Sequence, residues 1–280
     1  MPRRTIITFT TDFGLTDPFV GIMKGVILNI NPEVELVDLS HQVSSYDILD
    51  GAFTLVESYQ FFPPDTIHLV VVDPGVGSGR RPILARTMNY RFVAPDNGVL
   101  SMMMDREEAI EVRHITADQY FLKPVSDTFH ARDVFAAVAG WLSRGIEPEK
   151  FGEVITDYAR IAPPKPQRIS ANEVRGSVLK IDKFGNVITN LRPEDVPELF
   201  GEHPALLRIV VNKREITRLV SAYAMGRPRE VFAILGSAGF LELATNLGSA
   251  AQLLEVSRGT ELTTFFENHT TGFDQGKDGA

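Results

Sequence analysis

The feature that most constrains the fold is the alternation of β-branched runs with helix-like segments in the first half of the chain. Residues 5–10, 34–39 and 67–72 are predicted strands, and the last is nearly all apolar, which is typical of a strand covered on both faces. Between them, residues 19–27 and 47–61 space their apolar side chains at helical intervals. This alternation predicts an α/β domain with a mainly parallel sheet and flanking helices.

Shorter elements complete the first half. Asp17 followed by Pro18 predicts an aspartate cap with proline at the first helical position, and Pro32 marks the end of that helix. Further strands are predicted at residues 82–87, 91–94 and 110–112, and further helices at residues 98–104 and 133–142.

The sequence changes character at the proline-rich stretch 161–166, which predicts a linker. Beyond it come short strands without clear helices, at residues 176–181, 187–191, 206–211, 231–235, 240–244 and 251–256. Their spacing favours a small β-barrel or sandwich. The predicted domains are an α/β domain at 1–162, a linker at 163–175, a smaller all-β barrel domain at 176–267 and a disordered tail at 268–280.

Composition excludes several classes of protein. The chain has 28 Lys and Arg against 36 Asp and Glu, a net charge of -8, whereas nucleic-acid binding needs clustered basic residues. It contains no cysteine, which removes disulfides, thiolate zinc sites, iron–sulfur clusters and a cysteine nucleophile. The sequence shows no signal-peptide pattern and no apolar run of membrane-spanning length. We expect a soluble, cytoplasmic protein with no nucleic-acid or membrane partner.

Three polar clusters lie at or near predicted strand ends, where open α/β sheets bind ligands. In the first, Asp12 either accepts from the hydroxyls of a ribose or caps a turn. The second is the glycine-rich loop 73–80, which lacks the ending and the following helix of a phosphate loop. Its spacing alone favours an ordinary turn, but Asp73 and Arg80 bracket it and could pair across it.

The third cluster, residues 127–133, leads into a predicted helix and contains His130. A lone histidine at a polar helix start is more often structural than catalytic, and the other five histidines lack metal-ligand spacing. In the second half, residues 182–190 and 236–240 contain tight turns. Turn chemistry explains them best from the residues alone, although an aromatic and an asparagine in the first could contact a base.

Seven stretches in register together resemble one enzyme family. They are Thr10–Gly14, Ser44–Asp47, Val71–Arg80, Ala94–Gly98, Thr128–Asp133, Ile181–Asn190 and Gly236–Asn246. The chain is similar over most of its length to the S-adenosyl-L-methionine hydroxide adenosyltransferases, relatives of the fluorinases and chlorinases. The resemblance implies an N-terminal α/β domain, a C-terminal β-barrel and a homotrimer that binds the nucleoside between neighbouring subunits. The implied reaction is hydrolysis of S-adenosylmethionine (SAM) to adenosine and L-methionine, with no metal or cofactor.

The resemblance also implies site residues. Asp73, Arg80 and His130 match the set that activates water, and Asp12 matches the carboxylate that holds the ribose hydroxyls. The remaining expected substrate contacts are Tyr46, Phe129, Asp182, Phe184, Asn186, Ser237, Phe240 and Asn246.

Differences from the halogenating relatives indicate which nucleophile this protein uses. Those enzymes carry tyrosine at the positions of Asp73 and His130, serine at Ala131 and arginine at Ala238, together with an insertion near residues 87–91 that is missing here. In many water-using relatives position 131 is glycine, and we expect alanine to be tolerated. Water is therefore the expected nucleophile. The alternatives are a non-catalytic protein that binds adenosine or SAM and, less favoured, a SAM-dependent halogenase.

Overall fold

Strands alternate with helices along the first part of the chain, as the apolar spacing predicts. The computed structural model describes residues 4–200 and 205–267. The described residues divide into two compact units, with the boundary between Pro163 and Pro164. The tail predicted to be disordered, residues 268–280, lies outside the described residues.

The N-terminal unit is a six-stranded sheet with helices. Its strands are β1 (Ile6–Thr11), β2 (Glu35–Ser40), β3 (Ile67–Val71), β4 (Pro82–Arg86), β5 (Arg91–Pro95) and β6 (Glu111–His114). Its helices are α1 (Phe19–Ile30), α2 (Ile48–Ser58), α3 (Ser101–Met104) and α4 (Ala137–Ser143), with a π-helical turn at Ala131–Ala136 and 3-10 turns at Tyr59–Phe61, Asp118–Tyr120 and Pro148–Lys150.

The sheet is mixed, with three parallel and two antiparallel strand pairs. The strand order is β2-β1-β3-β5-β4-β6. The pairs β1–β2, β1–β3 and β3–β5 are parallel, whereas β4 is antiparallel to both β5 and β6. The reversed direction of β4 comes from the short connection between β4 and β5, where the Thr87 N–H donates to the Tyr90 carbonyl at 3.0 Å. A hairpin of this kind joins only antiparallel neighbours, since a parallel pair needs a much longer crossover.

Two helices differ at their ends from the sequence prediction. Pro18, not Asp17, is the N-cap of α1, and no side chain caps that helix. The second helix stops at Ser58 and continues as a 3-10 turn. Asp47, which the prediction includes in the helix, is its N-cap, because its side chain accepts from the Asp50 N–H at 3.0 Å.

The core of the N-terminal unit lies between the sheet and the helices α1 and α4. Met23 and Ile27 of α1 are fully buried, as is Phe135 of the π-helical turn, and they belong to one cluster with Phe9 of β1 and Leu69 of β3. This packing fixes α1 and the π-helical turn against the strands whose carboxyl ends carry the polar clusters.

The C-terminal unit is a curled nine-stranded sheet. Its strands are β7 (Gln167–Ser170), β8 (Glu173–Ile181), β9 (Val187–Thr189), β10 (Leu206–Val211), β11 (Arg214–Ile216), β12 (Leu219–Val220), β13 (Val231–Leu235), β14 (Leu241–Thr245) and β15 (Glu261–Glu267). The paired order is β11-β10-β15-β8-β9-β14-β13-β12, and β7 pairs with β8 from within the segment interpreted as a linker. There are 3-10 turns at Pro197–Leu199 and Tyr223–Met225.

The prediction of a strand at residues 251–256 is wrong, so this unit is not all-β. Ala250–Leu254 forms helix α5. Ser249 caps it by accepting from the Gln252 N–H at 3.2 Å, and Glu255 ends it in the left-handed conformation. A capping serine followed by good helix formers outweighs the apolar run that suggested a strand.

Candidate active site

The two residues that bracket the glycine-rich loop after β3 form a buried ion pair. Arg80 Nε lies 2.9 Å from each oxygen of the Asp73 carboxylate, and Arg80 Nη2 also donates to Oδ2. The Asp73 and Arg80 side chains are only 5% and 8% exposed. The guanidinium also lies over the Phe135 ring, 5.1 Å from its centroid. Such a side-on, charge-assisted pair is geometrically specific, so both groups are held in one orientation.

Gly77 allows this loop to approach the segment that carries His130. Its φ is +75°, and a Cβ built on it would lie 2.4 Å from the Asp127 carbonyl oxygen. Only glycine fits both the conformation and the distance. The glycine-rich loop therefore allows the residues after β3 to pack closely against those before the π-helical turn.

His130 is the N-cap residue of the π-helical turn and is half-buried. Its Nδ1 lies 3.0 Å from Arg80 Nη2. Burial is the main cause that lowers the pKa of His130, and the Arg80 charge lowers it further, against the opposing effect of Asp73, Asp127 and Asp133. The imidazole is therefore favoured in its neutral form at neutral pH.

Asp133 holds the segment before His130 in place. It is fully buried, accepts from Arg132 Nε at 2.6 Å, and accepts from the Ser126 N–H at 2.8 Å. The sequence shows only a polar helix start here. The contact between Asp133 and Ser126 depends on the conformation of the loop, which the spacing of residues does not predict.

A small apolar cavity of about 130 Å³ lies beside these polar groups. Its lining residues are Phe13, Phe19, Val71, Asp73, Val76, Thr128, Phe129, His130 and Ala131. The rings of Phe13, Phe19 and Phe129 meet edge to face, with centroids 5.3 to 6.3 Å apart. Sequence reasoning missed Phe13 and Phe19 as site residues, although Phe13 lies within the Thr10–Gly14 motif.

Asp12 lies at the neighbouring strand end, because Thr11 of β1 pairs in register with Val71 of β3. Thr11, not Asp12, makes the local turn contact, by accepting from the Phe13 N–H at 3.3 Å. Asp12 Oδ2 accepts from the Tyr46 N–H at 2.8 Å. Tyr46 has a φ of 66° and is 74% exposed.

In the C-terminal unit, Asp182 and Asn186 belong to one tight turn. Asp182 Oδ1 accepts from the N–H groups of Phe184 and Asn186 at 2.8 Å each, and Oδ2 accepts from Asn186 Nδ2 at 2.9 Å. Turn chemistry thus accounts for these contacts. Phe184 is 74% exposed.

The other sequence-predicted residues of this unit lie on the β13–β14 hairpin and just after β14. Ser237 is exposed in the hairpin turn, whereas Phe240 is buried beneath the Arg192 guanidinium, 4.3 Å from the ring centroid. Asn246 Nδ2 donates to the Gly226 carbonyl at 3.1 Å.

Sequence reasoning also missed a buried acid on β14. Glu242 accepts from the Tyr223 hydroxyl at 2.9 Å. Burial raises the pKa of Glu242, and burial together with Glu242 raises the pKa of Tyr223 to about 12. A single acid inside an apolar strand gives no sequence signal that distinguishes it from a solvent-facing one.

Among residues 4–200 and 205–267, no three histidine, aspartate or glutamate side chains are grouped so that they could hold a metal ion. No helix in the described part of the chain is long and apolar enough to span a membrane.

The chain matches the family models described as SAM hydroxide adenosyltransferase N-terminal domain, over residues 7–152, and C-terminal domain, over residues 176–263. A curated protein named (R)-S-adenosyl-L-methionine hydrolase, from Methanocaldococcus jannaschii, is 32% identical and covers 90% of this chain and 92% of its own. A fluorinase from Nocardia brasiliensis is 27% identical, covering 89% and 93%. The crystal structure of an uncharacterized conserved protein from Thermotoga maritima matches with a TM-score of 0.86 at 37% identity, covering 92% of this chain and 99% of that one.

Proposed function

The chain belongs to the SAM hydroxide adenosyltransferase family, and from that premise we propose that it hydrolyses SAM to adenosine and L-methionine. Water attacks the ribose 5′ carbon from the side opposite sulfur. The C5′–O bond forms, the C5′–S bond breaks, and its electron pair stays on sulfur. The observation that carries the proposal is the contact of Asp73 and His130 with one guanidinium, that of Arg80, beside an apolar cavity.

The sulfonium of SAM is already a good leaving group, because methionine departs as a neutral thioether. The difficulty is the nucleophile, which is weak and unoriented in bulk water. Holding one water in line can contribute several kcal/mol, with about 7 kcal/mol as the low end for well-oriented reactants. A positioned acid–base group adds about 10²–10⁴-fold. Neither the positioning of the water nor the transfer of its proton requires a metal or a cofactor.

In this proposal Asp12 binds the ribose hydroxyls. Its Oδ2 already accepts from the Tyr46 N–H, so the carboxylate has a fixed orientation and keeps lone pairs for a ligand. The Tyr46 and Phe129 rings contact the nucleoside. The exposure of Tyr46 and the position of Phe129 on the cavity wall support these roles.

We assign the methionine and adenine contacts to Asp182, Phe184, Asn186, Ser237, Phe240 and Asn246 by family resemblance, and we propose that they come from the C-terminal domain of a neighbouring subunit in a homotrimer. The cavity of about 130 Å³ is smaller than the roughly 300–1,000 Å³ of ligand pockets, so one N-terminal unit does not enclose the substrate. The large exposure of Phe184 also suits a ring that awaits a ligand or a neighbour.

We further propose an α/β domain at 1–162, a barrel-like C-terminal domain at 176–267 to which β7 adds a strand from the connecting segment 163–175, and a cytoplasmic location. The location rests on the cysteine-free composition, which suits a reducing compartment.

A direct product assay separates the candidate functions. Purified protein is incubated with SAM, and adenosine and methionine are quantified, with His130→Ala as the control. Equal amounts of product from both proteins would refute hydrolysis at this site. Tight binding of SAM without product would favour the non-catalytic alternative. A halogenated nucleoside formed in excess chloride or fluoride would favour the halogenase, which Ala131 argues against.

A further inference from the structure

We propose that Arg80 is a positioning residue that fixes His130 as the tautomer protonated on Nε2, so that His130 donates a hydrogen bond to the attacking water and Asp73 accepts the water's proton. This assignment rests on the proposed function, since it divides the roles within that same site.

The tautomer follows from the donor and acceptor chemistry of the contact. Arg80 Nη2 lies 3.0 Å from His130 Nδ1. A guanidinium has only donors, so Nδ1 must present its lone pair to Arg80. A neutral imidazole with a free lone pair on Nδ1 carries its proton on Nε2. The charged form would bring an Nδ1–H against an Arg80 N–H, which explains why the arginine disfavours it.

Arg80 is held too firmly to release His130 easily. Its Nε and Nη2 are both engaged by Asp73, its guanidinium lies on the Phe135 ring, and its side chain is 8% exposed. The titratable and charged groups that act on His130 are Arg80 together with Asp73, Asp127 and Asp133. For His130 to accept a proton at Nδ1, it would have to break the Arg80 contact. Nε2 cannot accept the proton either, because in this tautomer it already carries one.

Asp73 is left as the proton acceptor. It lines the same cavity as His130, and its carboxylate oxygens keep lone pairs beyond those used by Arg80. In the reaction, one lone pair of the water forms the C5′–O bond and the other accepts from His130 Nε2–H. One O–H bond breaks and its proton passes to Asp73, while the C5′–S electron pair goes to sulfur. Asp73 then releases the proton to solvent.

The first test reads the tautomer without turnover. Protein labelled with nitrogen-15 in histidine is examined by NMR at neutral pH, and the His130 signals are assigned by their loss in His130→Gln. We expect an unprotonated Nδ1 and an Nε2 with a one-bond proton coupling. A protonated Nδ1 would overturn the assignment. Because this readout needs no activity, it stays informative even if SAM is not hydrolysed.

The second test compares His130→Gln with Asp73→Asn in SAM turnover. A glutamine amide can keep a donor where Nε2 stands, so we expect kcat to fall by no more than about tenfold, the value of one hydrogen bond. Asp73→Asn removes the acceptor and should lower kcat by about 10²–10⁴-fold. The acid limb of the kcat/KM profile should persist in His130→Gln. If that limb disappears and His130→Gln shows the larger loss, His130 is the base and the proposal is wrong.

Discussion

His68 is a fully buried histidine on β3 whose titration should influence acid stability. Its ring stacks on Phe92 at 5.0 Å, and Nδ1 lies 2.8 Å from Thr8 Oγ1. Burial lowers the pKa of His68 from 6.5 to about 3. As the pH falls, the unfolded chain therefore binds this proton before the folded one. We expect the free energy of unfolding to fall by up to about 1.4 kcal/mol per pH unit below about pH 6.5 because of this side chain.

The His68→Asn variant tests this, because the amide keeps a partner for Thr8 and does not titrate. Urea unfolding at several pH values should show a shallower loss of stability between about pH 6 and pH 4 than in the unchanged protein. A constant offset between the two proteins reports lost ring packing. Only the change of the free energy of unfolding with pH reports on the titration of His68. If that change is the same in both proteins, the predicted effect of His68 is contradicted.

Tyr46 combines a left-handed backbone with an exposed ring, and two variants separate these features. Tyr46→Gly and Tyr46→Ala both remove the ring while keeping the N–H that binds Asp12. We expect both to raise KM for SAM. Only glycine relieves the positive φ, so Tyr46→Gly should be the more stable of the two by about 0.5–1 kcal/mol in thermal unfolding. An unchanged KM would remove the ring from the substrate contacts.

At single positions, the sequence predicts contacts within a motif better than contacts between motifs. Asp73 and Arg80 bracket one short loop, so their ability to pair could be anticipated. The contact of Asp12 with the Tyr46 N–H joins segments 34 residues apart and could not. The hydrogen bond between Glu242 and Tyr223 could not be predicted either, because it also joins separate segments. In addition, the burial of an acid depends on the residues that pack over it.

The loop after β3 offers a matched pair of glycine substitutions. Gly77→Ala would push against the Asp127 carbonyl and strain a φ of +75°, whereas Gly79 has no atom within 4 Å of a built Cβ. We expect Gly77→Ala to cost about 1–2 kcal/mol in stability from the backbone alone and to lower kcat by displacing the His130 segment. Gly79→Ala should stay within about 0.5 kcal/mol of the unchanged protein. Similar effects at both positions would show that the close approach is unimportant.

Among the elements, periodicity predicts the long, regular ones and fails where local turns decide. The strands β10 and β13 begin and end where the sequence predicts. The antiparallel placement of β4 depends on a hairpin, and the identity of α5 depends on the Ser249 cap, so a reading of apolar spacing missed both. The same limit applies to the π-helical turn, whose altered hydrogen bonding leaves no apolar pattern of its own.

The assembly of the whole molecule can be tested by complementation. A homotrimer of the 31.0 kDa chain should have a mass of about 93 kDa by light scattering, three times the single chain. If each site combines the N-terminal domain of one subunit with the C-terminal domain of the next, His130→Ala and Asn186→Ala are defective in different halves of the site. Co-expressing the two should therefore restore some intact sites and some activity.

The control is a mixture of His130→Ala with Asp73→Asn, which damage the same half and should not complement. A monomeric mass, or equal recovery in both mixtures, would contradict the shared site. Either result would leave the hydrolysis chemistry to be judged separately.

The most direct test of the central claim is the fate of the oxygen atom from water. SAM is hydrolysed in water enriched in oxygen-18, and the masses of the products are measured by mass spectrometry. Attack at the ribose 5′ carbon predicts one heavy oxygen in adenosine and none in methionine, with the labelled product greatly reduced in Asp73→Asn. Unlabelled adenosine, or labelled homoserine with methylthioadenosine, would show that water does not attack where this account places it.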